Sequence, residues 1–151
     1  MGRSRKERWR DNLGFLVNKL AARMQASFEG QLAPYKISRL QWIVLRDLYD
    51  ASHRPANLAV KTGCDRAVMT RVLEGLQQRG LLVRTIAEQD RRQIDVSLTE
   101  TGRALTKELI LVARKVNDHF LKRIPEDRAG ELIRLLTEIL TDTEEKGVKV
   151  A

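Results

Sequence analysis

The sequence predicts a mainly α-helical protein with one small β-hairpin. Most of its 151 residues fall in stretches whose apolar side chains recur every three or four positions, as on one face of an amphipathic helix. Residues 82–98 instead approach the two-residue alternation of a half-buried strand. Directly before them lie two short helical stretches separated by a glycine. Two short helices followed by a hairpin form a winged helix-turn-helix.

The first predicted helix covers residues 12–33. Pro34 ends it, because the residue before a proline is disfavoured in the helical conformation. Ser38 and Gln41 then have the spacing of a capping box, which predicts a second helix to about residue 49. The apolar stripe of the first helix is Leu13, Leu16, Val17, Leu20, Met24 and Phe28, and that of the second is Leu40, Ile43, Val44 and Leu48, with Trp42 beside it.

Three residues predict the helix-turn-helix, each for a different physical reason. Ala59 is small enough for the first helix to pass close to the second, and Gly63 tolerates the positive φ of the turn. Met69 returns an apolar side chain from the second helix to the core. Arg79 and Gly80 close that helix with a cation in its last turn and a glycine after it. The same buried face includes Leu58, Cys64, Val72, Leu73 and Leu76.

The hairpin is predicted over about residues 82–98. Residues 82–87 are rich in β-forming side chains, residues 88–91 are polar and turn-like, and Ile94, Val96 and Leu98 alternate with polar residues. The tip carries Arg91 and Arg92, which on a narrow ribbon suit phosphates or an A·T-rich minor groove. A solvated basic turn is the alternative interpretation.

Two further helices are predicted after the hairpin. Thr99 is a candidate N-cap with Glu100 favourable in the first turn, and this helix runs to about residue 123. Pro125 suits the first turn of a final helix. The apolar faces are Leu105, Leu109, Val112, Val116, Phe120 and Leu121 in one helix and Leu132, Ile133, Leu135, Leu136, Ile139 and Leu140 in the other.

The hairpin tip and the residues after the hairpin carry a family pattern. Asp90-Arg91-Arg92, then Leu98-Thr99 and Gly102, resemble the wing signature of the multiple-antibiotic-resistance regulator (MarR) family. The segment DRAVMTRVLEGLQQRGLL at residues 65–82 is similar in character to that family's recognition segment, although Ala67 stands where a polar residue or proline is more usual. The resemblance extends over nearly the whole chain. It implies a DNA-binding transcription regulator.

The candidate DNA-binding residues lie in two places. In a winged helix-turn-helix the start of the recognition helix, predicted here at about residues 65–79, reaches base edges in the major groove. The residues on its exposed face are Arg66, Ala67, Thr70 and Arg71. The resemblance adds the wing tip, where Arg92 is expected to enter the minor groove beside Arg91. Asp90 is expected to hold an arginine by a bidentate pair.

The sequence predicts three regions. Residues 1–11 form a basic arm, which is either a solvated terminus or a contact to DNA. Residues 37–99 form the winged-helix region, and residues 12–36 and 100–147 form a helical dimerisation region. The apolar stripes of the flanking helices exceed what a short winged helix can cover, and a second copy would bury them. These helices form the dimer interface in the MarR family. A self-contained monomeric bundle is the alternative.

The resemblance also implies an effector site between the dimer helices and the winged-helix region. Met24, Phe28, Leu40 and Trp42 are candidates to line it, and Arg23 is a candidate partner for an acid. Apolar walls with one positive charge suit a small aromatic carboxylate. Each of these apolar residues fits a place in the core equally well.

Charge points to a polyanionic partner. The net charge is +8, and residues 54–92 hold eight basic and four acidic side chains, whereas residues 126–151 hold four and seven. We predict no catalytic residue, metal site or cofactor, because His53 and His119 lack clusters of further ligands and no glycine-rich phosphate loop occurs. Cys64 is interpreted as apolar filler of the turn rather than an oxidant sensor.

The sequence therefore predicts a dimeric repressor that binds a pseudo-palindromic operator in double-stranded DNA and is released by a small ligand. The lone cysteine and the lack of a long apolar run or signal-peptide core predict a reducing cytoplasm and no membrane partner. The alternative function is a winged helix that serves as a protein–protein interaction module without sequence-specific DNA binding. An enzyme ranks third, because no catalytic constellation stands out.

Overall fold

The computed structural model describes residues 12–87 and 90–146. The basic arm predicted at residues 1–11 lies outside them. The elements in chain order are helix α1 (Leu13–Leu32), a 3-10 helix (Ala33–Tyr35), helices α2 (Arg39–Asp50), α3 (Pro55–Thr62) and α4 (Arg66–Gln78), strands β1 (Leu82–Ala87) and β2 (Asp90–Leu98), and helices α5 (Glu100–Leu121) and α6 (Glu126–Lys146). The predicted class, mainly α-helical with a two-stranded hairpin, is confirmed.

The chain divides into two compact units. One ends at Arg114 and the other begins at Lys115, so that α5 passes through the division. The first unit contains the winged-helix region, and the second contains α6 and the end of α5.

The core of the first unit is built from the apolar faces of α2, α3, α4 and the hairpin. Leu32 at the end of α1 and Leu109 on α5 also belong to it. Ala59, Met69 and Leu73 are buried as predicted, while Cys64 and Val72 pack against the core and are half-buried. The other buried members are Ile37, Val44, Leu45, Leu48, Leu58, Leu76, Leu81, Leu82 and Val96.

Local signals fix where the helices begin. Ser38 caps α2 through a complete capping box. Its hydroxyl accepts from the Gln41 main-chain amide at 3.2 Å, and Gln41 Oε1 accepts from the Ser38 main-chain amide at 2.9 Å. Pro55 occupies the first position of α3, where a missing N–H costs nothing. Gly63 ends α3 with φ at 67°, the left-handed conformation that the turn requires.

Several predicted boundaries are wrong by a few residues. Pro34 lies inside the 3-10 helix that continues from α1, because a proline at the first positions of a helix lacks only an N–H that has no partner there. Helix α5 ends at Leu121 instead of residue 123, and Pro125 precedes α6 instead of lying in its first turn. Strand β2 already begins at Asp90, within the stretch predicted as a turn.

A third segment, which the sequence did not predict, joins strand β2 to the loop between α2 and α3. The strands pair with Leu82 opposite Leu98 and Ile86 opposite Ile94, and the register shifts after Ile86. His53, in the loop before α3, forms a bridge with Val96: its amide donates to the Val96 carbonyl at 3.1 Å and its carbonyl accepts from the Val96 amide at 2.9 Å. These bonds hold the base of β2 against the helices.

The start of α5 lies very close to the chain that leaves α4. The Thr99 hydroxyl donates to the Gly80 carbonyl at 2.6 Å and accepts from the Gly102 amide at 3.0 Å, which confirms Thr99 as a cap. A Cβ atom on Gly102 would lie 1.8 Å from the Leu81 carbonyl oxygen. Only glycine permits this approach, which accounts physically for the glycine of the wing signature.

Candidate nucleic-acid interface

Helix α4 is fixed from both its start and its inner face. The Asp65 carboxylate accepts from the Val68 amide at 2.8 Å and so caps the helix. Met69, Leu73 and Leu76 are fully buried on one face, which sets the rotation of the helix about its axis. The opposite face is therefore presented outward with little freedom to turn.

The four predicted residues of α4 do lie together on that outward face. Arg66, Ala67, Thr70 and Arg71 are all exposed and lie within the first turn and a half of the helix. Neither arginine forms an ion pair with another residue in the described part of the chain. Their charges are thus available to an external partner.

Although Thr70 is exposed, its hydroxyl is not free to donate a hydrogen bond to a partner. Its hydroxyl donates to the Arg66 carbonyl at 2.8 Å within the helix. The hydroxyl hydrogen is therefore used within the helix, and the Thr70 oxygen can still accept a hydrogen bond from a partner. The exposed surface of α4 thus combines the methyl-bearing residues Ala67 and Thr70 with Arg66 and Arg71, and methyl groups are suited to contact the methyl group of thymine.

The wing extends from the same region. Asp90, Arg91 and Arg92 lie at the start of β2, close to the tip as predicted, and their side chains lie outside what the structure describes. Nearer the base, Ile86 and Ile94 form an exposed cross-strand pair, and Arg84 is half-buried. The roles predicted for the three tip residues stay predictions.

A polar contact supports the loop before α3. Lys61 Nζ lies 3.3 Å from His53 Nε2 and 4.0 Å from an Asp47 carboxylate oxygen. The half-buried Cys64 accepts a hydrogen bond from the Thr62 hydroxyl at 3.2 Å. Within residues 12–87 and 90–146, no group of three or more metal-ligating side chains comes together.

The structure brings together only some of the residues predicted for an effector site. Phe28 and Trp42 contact each other edge to face, with ring centroids 5.3 Å apart, and both pack against the core. Met24 and Leu40 are half-buried on the same two helices. Arg23 is exposed and forms no ion pair with the residues described.

The sequence did not predict the long-range hydrogen bonds that three residues form near the end of α4. The Arg79 guanidinium, at the end of α4, donates to the carbonyls of Lys36 at 2.7 Å and Tyr35 at 2.9 Å. The Tyr35 hydroxyl donates to the Glu108 carboxylate on α5 at 2.7 Å. This hydrogen bond raises the pKa of the Tyr35 phenol, since ionisation would remove the donor and place two negative charges side by side. Bonds this distant along the chain leave no periodic or local signal in the sequence.

Comparison with known proteins agrees with the resemblance noted from the wing. The MarR family model matches residues 37–94, which contain the helix-turn-helix and most of the wing. This stretch belongs to the MarR family. The family consists of DNA-binding transcription regulators, and its match ends short of Gly102 and the flanking helices.

Solved structures extend the similarity over most of the chain. Wild-type MarR from E. coli, in its apo form, is 26% identical with a TM-score of 0.76, covering 85% of this chain and 97% of that one. BpsR from Bordetella bronchiseptica, whose DNA binding is regulated by 6-hydroxynicotinic acid, is 25% identical with a TM-score of 0.73, covering 91% and 97%. A probable transcriptional regulator from Pseudomonas aeruginosa is 28% identical with a TM-score of 0.71, covering 85% and 97%. The MarR-type fold therefore includes the helices on both sides of residues 37–94.

No helix within the described ranges combines the length and the apolar character needed to cross a membrane.

Proposed function

We propose that this protein is a sequence-specific regulator of transcription that binds double-stranded DNA. The observation that carries the proposal is the exposed face of α4, where Arg66, Ala67, Thr70 and Arg71 lie at the start of a helix whose opposite face is fully buried. Guanidinium groups bind the O6 and N7 acceptors of guanine, and methyl groups contact thymine, so this face suits a major groove.

The wing supplies the second contact in this proposal. Arg92 enters the minor groove or binds its phosphates, and Arg91 contributes charge beside it. Asp90 cannot attract DNA itself, so its proposed role is to orient an arginine through a bidentate pair. The wing then adds affinity and register, while α4 distinguishes sequences.

The working form that we propose is a homodimer. In α1 the apolar side chains of Leu13, Leu16, Val17 and Leu20 are exposed, and in α6 those of Leu132, Ile133 and Leu135 are exposed. Apolar stripes of this length on helices are rarely left in water, and a second copy of the same chain would supply matching stripes to cover each of them. Two recognition helices then enter major grooves about 34–36 Å apart, which predicts a pseudo-palindromic operator.

The finer assignment is a repressor released by a small ligand. BpsR, of similar fold, has its DNA binding regulated by an aromatic acid. In this chain the Phe28–Trp42 pair and the neighbouring Met24 and Leu40 supply apolar surface, and Arg23 supplies a cation for a carboxylate. A coupling of about 1–3 kcal/mol between ligand and DNA would change operator affinity roughly 5- to 150-fold.

Selection of bound sequences from random duplex DNA tests the central proposal. We expect enrichment of a site with two-fold symmetry, and binding to it that unlabelled site competes and random duplex does not. If no sequence is enriched at moderate salt, sequence-specific binding is excluded and the protein–protein interaction module becomes the better account.

Tryptophan fluorescence tests the effector proposal. The chain has two tryptophans, so a Trp9→Phe background leaves Trp42 as the single reporter. Titration with 6-hydroxynicotinic acid and a panel of phenolic acids should change its emission, and the same compounds should release the selected duplex. Lack of both responses would count against an aromatic acid as effector.

A further inference from the structure

Arg79 makes a contact that differs in kind from those of the arginines on the outward face of α4. It follows the last residue of the helix, and both terminal nitrogens of its guanidinium donate to main-chain carbonyls, those of Lys36 and Tyr35. The two distances, 2.7 and 2.9 Å, are those of a two-pronged, charge-assisted pair. The side chain therefore faces the rest of the protein.

The acceptors of this pair belong to an unusual turn. Tyr35 ends the 3-10 helix after α1, and Lys36 follows in the left-handed conformation with φ at 53°. Carbonyls at the end of a helix lack intrahelical partners and carry partial negative charge, so a guanidinium is well matched to them. The bonds tie the C-terminal end of α4 to the turn between α1 and α2.

The same turn is tied to a third helix. The Tyr35 hydroxyl donates to the Glu108 carboxylate on α5 at 2.7 Å. Tyr35 thus accepts from Arg79 through its main chain and donates to Glu108 through its side chain. Arg79, the Tyr35–Lys36 turn and Glu108 form a continuous chain of hydrogen bonds from α4 to α5, which we call the Arg79 link. All of its members lie in the first compact unit.

We infer that Arg79 is a positioning residue for DNA binding, which fixes the recognition helix to the turn after α1 and, through Tyr35, to α5. The inference rests on the proposed function. Since α1 and α5 belong to the helices proposed to pair two copies, a displacement of either helix is passed by the Arg79 link to the end of α4. The link therefore sets both the placement of the recognition helix and its response to changes in the flanking helices.

The first test uses the free protein and needs no DNA. Hydrogen–deuterium exchange is followed at the Gly80 and Leu81 amides, which bond to the Gln77 and Leu76 carbonyls at the end of α4. We expect Arg79→Gln and Tyr35→Phe each to accelerate this exchange about fivefold or more, as loss of one charged or neutral hydrogen bond implies. Arg46→Gln is the control, because Arg46 pairs with Asp50 on its own helix and joins no second element.

The second test measures affinity for the duplex obtained by selection, as a function of salt. We expect Arg79→Gln to weaken binding about five- to tenfold with an unchanged log–log salt slope, because a positioning residue neutralises no phosphate. Arg79→Lys keeps the charge but not the two-pronged geometry, so it should weaken binding nearly as much. Tyr35→Phe, which changes no charge, should weaken binding in the same direction.

The outcomes separate the inference from the proposed function. If wild type enriches no duplex, the proposed function fails, and the exchange measurement still decides whether the Arg79 link exists. Unchanged exchange in both variants overturns the link. If wild type binds and Arg79→Gln binds equally well, or if Arg79→Lys restores full affinity while Arg79→Gln lowers the salt slope, Arg79 has no positioning role.

Discussion

Apolar side chains are buried in the winged-helix region, whereas many of those on the flanking helices are exposed. In the winged-helix region Val44, Leu58 and Met69 are completely buried within a single chain. On α1 and α6 the side chains of Leu13 and Ile133 are still 55% and 49% exposed. The predicted helical stripes are equally regular in both places, so the difference lies in what each stripe faces and not in its pattern.

This difference separates two kinds of stability. Burial within the chain holds the recognition helix in place whether or not a partner is present, at about 1.5–3 kcal/mol for each large apolar side chain. The partly exposed stripes contribute their remaining apolar area only if a partner covers it, and in the proposed dimer that contribution would depend on protein concentration. The same chain thus has a core that is completed within one chain and apolar stripes on α1 and α6 that stay partly exposed.

The largest expected effect comes from breaking the proposed dimer. Leu16→Glu combined with Leu20→Glu places two charges on the exposed stripe of α1. In a symmetric dimer each substitution is present in both chains, so the interface gains four charges. We expect the dimer dissociation constant to rise by about a thousandfold or more. Light scattering at micromolar concentration should then report the mass of one chain instead of two.

The control for this prediction is Val60→Glu. Val60 is the most exposed large apolar residue of the described chain, at 82%, and it stands alone on α3. The same change of chemistry there should leave the mass unaltered. A wild-type protein with the mass of one chain would contradict the dimer, and the monomeric bundle would replace it.

The second prediction concerns the tight packing within one chain, at Gly102. Gly102→Ala places a methyl group 1.8 Å from the Leu81 carbonyl oxygen, so the start of α5 must move away. We expect the free energy of unfolding to fall by about 3 kcal/mol, measured with denaturant at fixed protein concentration. Gly30→Ala is the matched control, because no atom lies within 4 Å of a Cβ added there. A decrease of less than about 1 kcal/mol in the free energy of unfolding would mean that the start of α5 moves away from Leu81 at little cost.

The features that sequence predicted well are local ones. The capping box at Ser38, the glycine turn at Gly63 and the alternation of β2 each depend on residues a few positions apart, so their signals survive in the sequence. The exposed face of α4 was predicted for the same reason, because the buried residues Met69 and Leu73 fix the opposite side by helical period.

What sequence did not predict is tertiary. The bridge of His53 to Val96 and the bonds of Arg79 to the Tyr35–Lys36 turn join parts of the chain more than forty residues apart. Gly102 was recognised as part of a family pattern, but the pattern does not say that the Leu81 carbonyl lies against it. The exposure of the α1 stripe also depends on which surfaces remain uncovered once the chain has folded.

The third prediction concerns base contact by the winged-helix region. Arg66→Ala should weaken binding to the selected duplex about tenfold or more, and should relax the preference at one base position, because a bidentate contact to a guanine contributes about 1–3 kcal/mol. Affinities for the selected duplex and its single-base variants measure both effects. Arg134→Ala removes the same charge from α6, where Arg134 pairs with Glu138, and should change neither. Equal weakening on every sequence would assign Arg66 to phosphate.

A smaller effect is expected at the wing. Arg92→Ala should lower operator affinity about fivefold and reduce the log–log salt slope by about one unit for each charge lost, hence about two in a dimer. Asp90→Ala should lower affinity through loss of an oriented arginine while removing no cation. Thermal melting of both variants should match wild type, which separates a binding defect from a loss of folding. Equal affinities and slopes for well-folded variants would exclude the wing from DNA binding.

The smallest expected effect comes from adding a methyl group to α4 at Gly75. Gly75 lies in the middle of α4 on its half-buried side, where an added Cβ would meet Gln41 Nε2 at 3.6 Å, an ordinary contact. Glycine costs a helix interior about 0.5–1 kcal/mol relative to alanine, so Gly75→Ala should raise the free energy of unfolding by about that amount. Because Gly75 is half-buried and lies one turn beyond Arg71, away from the start of the helix that is proposed to enter the groove, affinity for the selected duplex should stay unchanged. Denaturant unfolding together with duplex titration measures both. A stabilised variant that loses affinity would indicate that the recognition helix must bend at Gly75 to fit the groove, and the rigid placement of α4 would have to be given up.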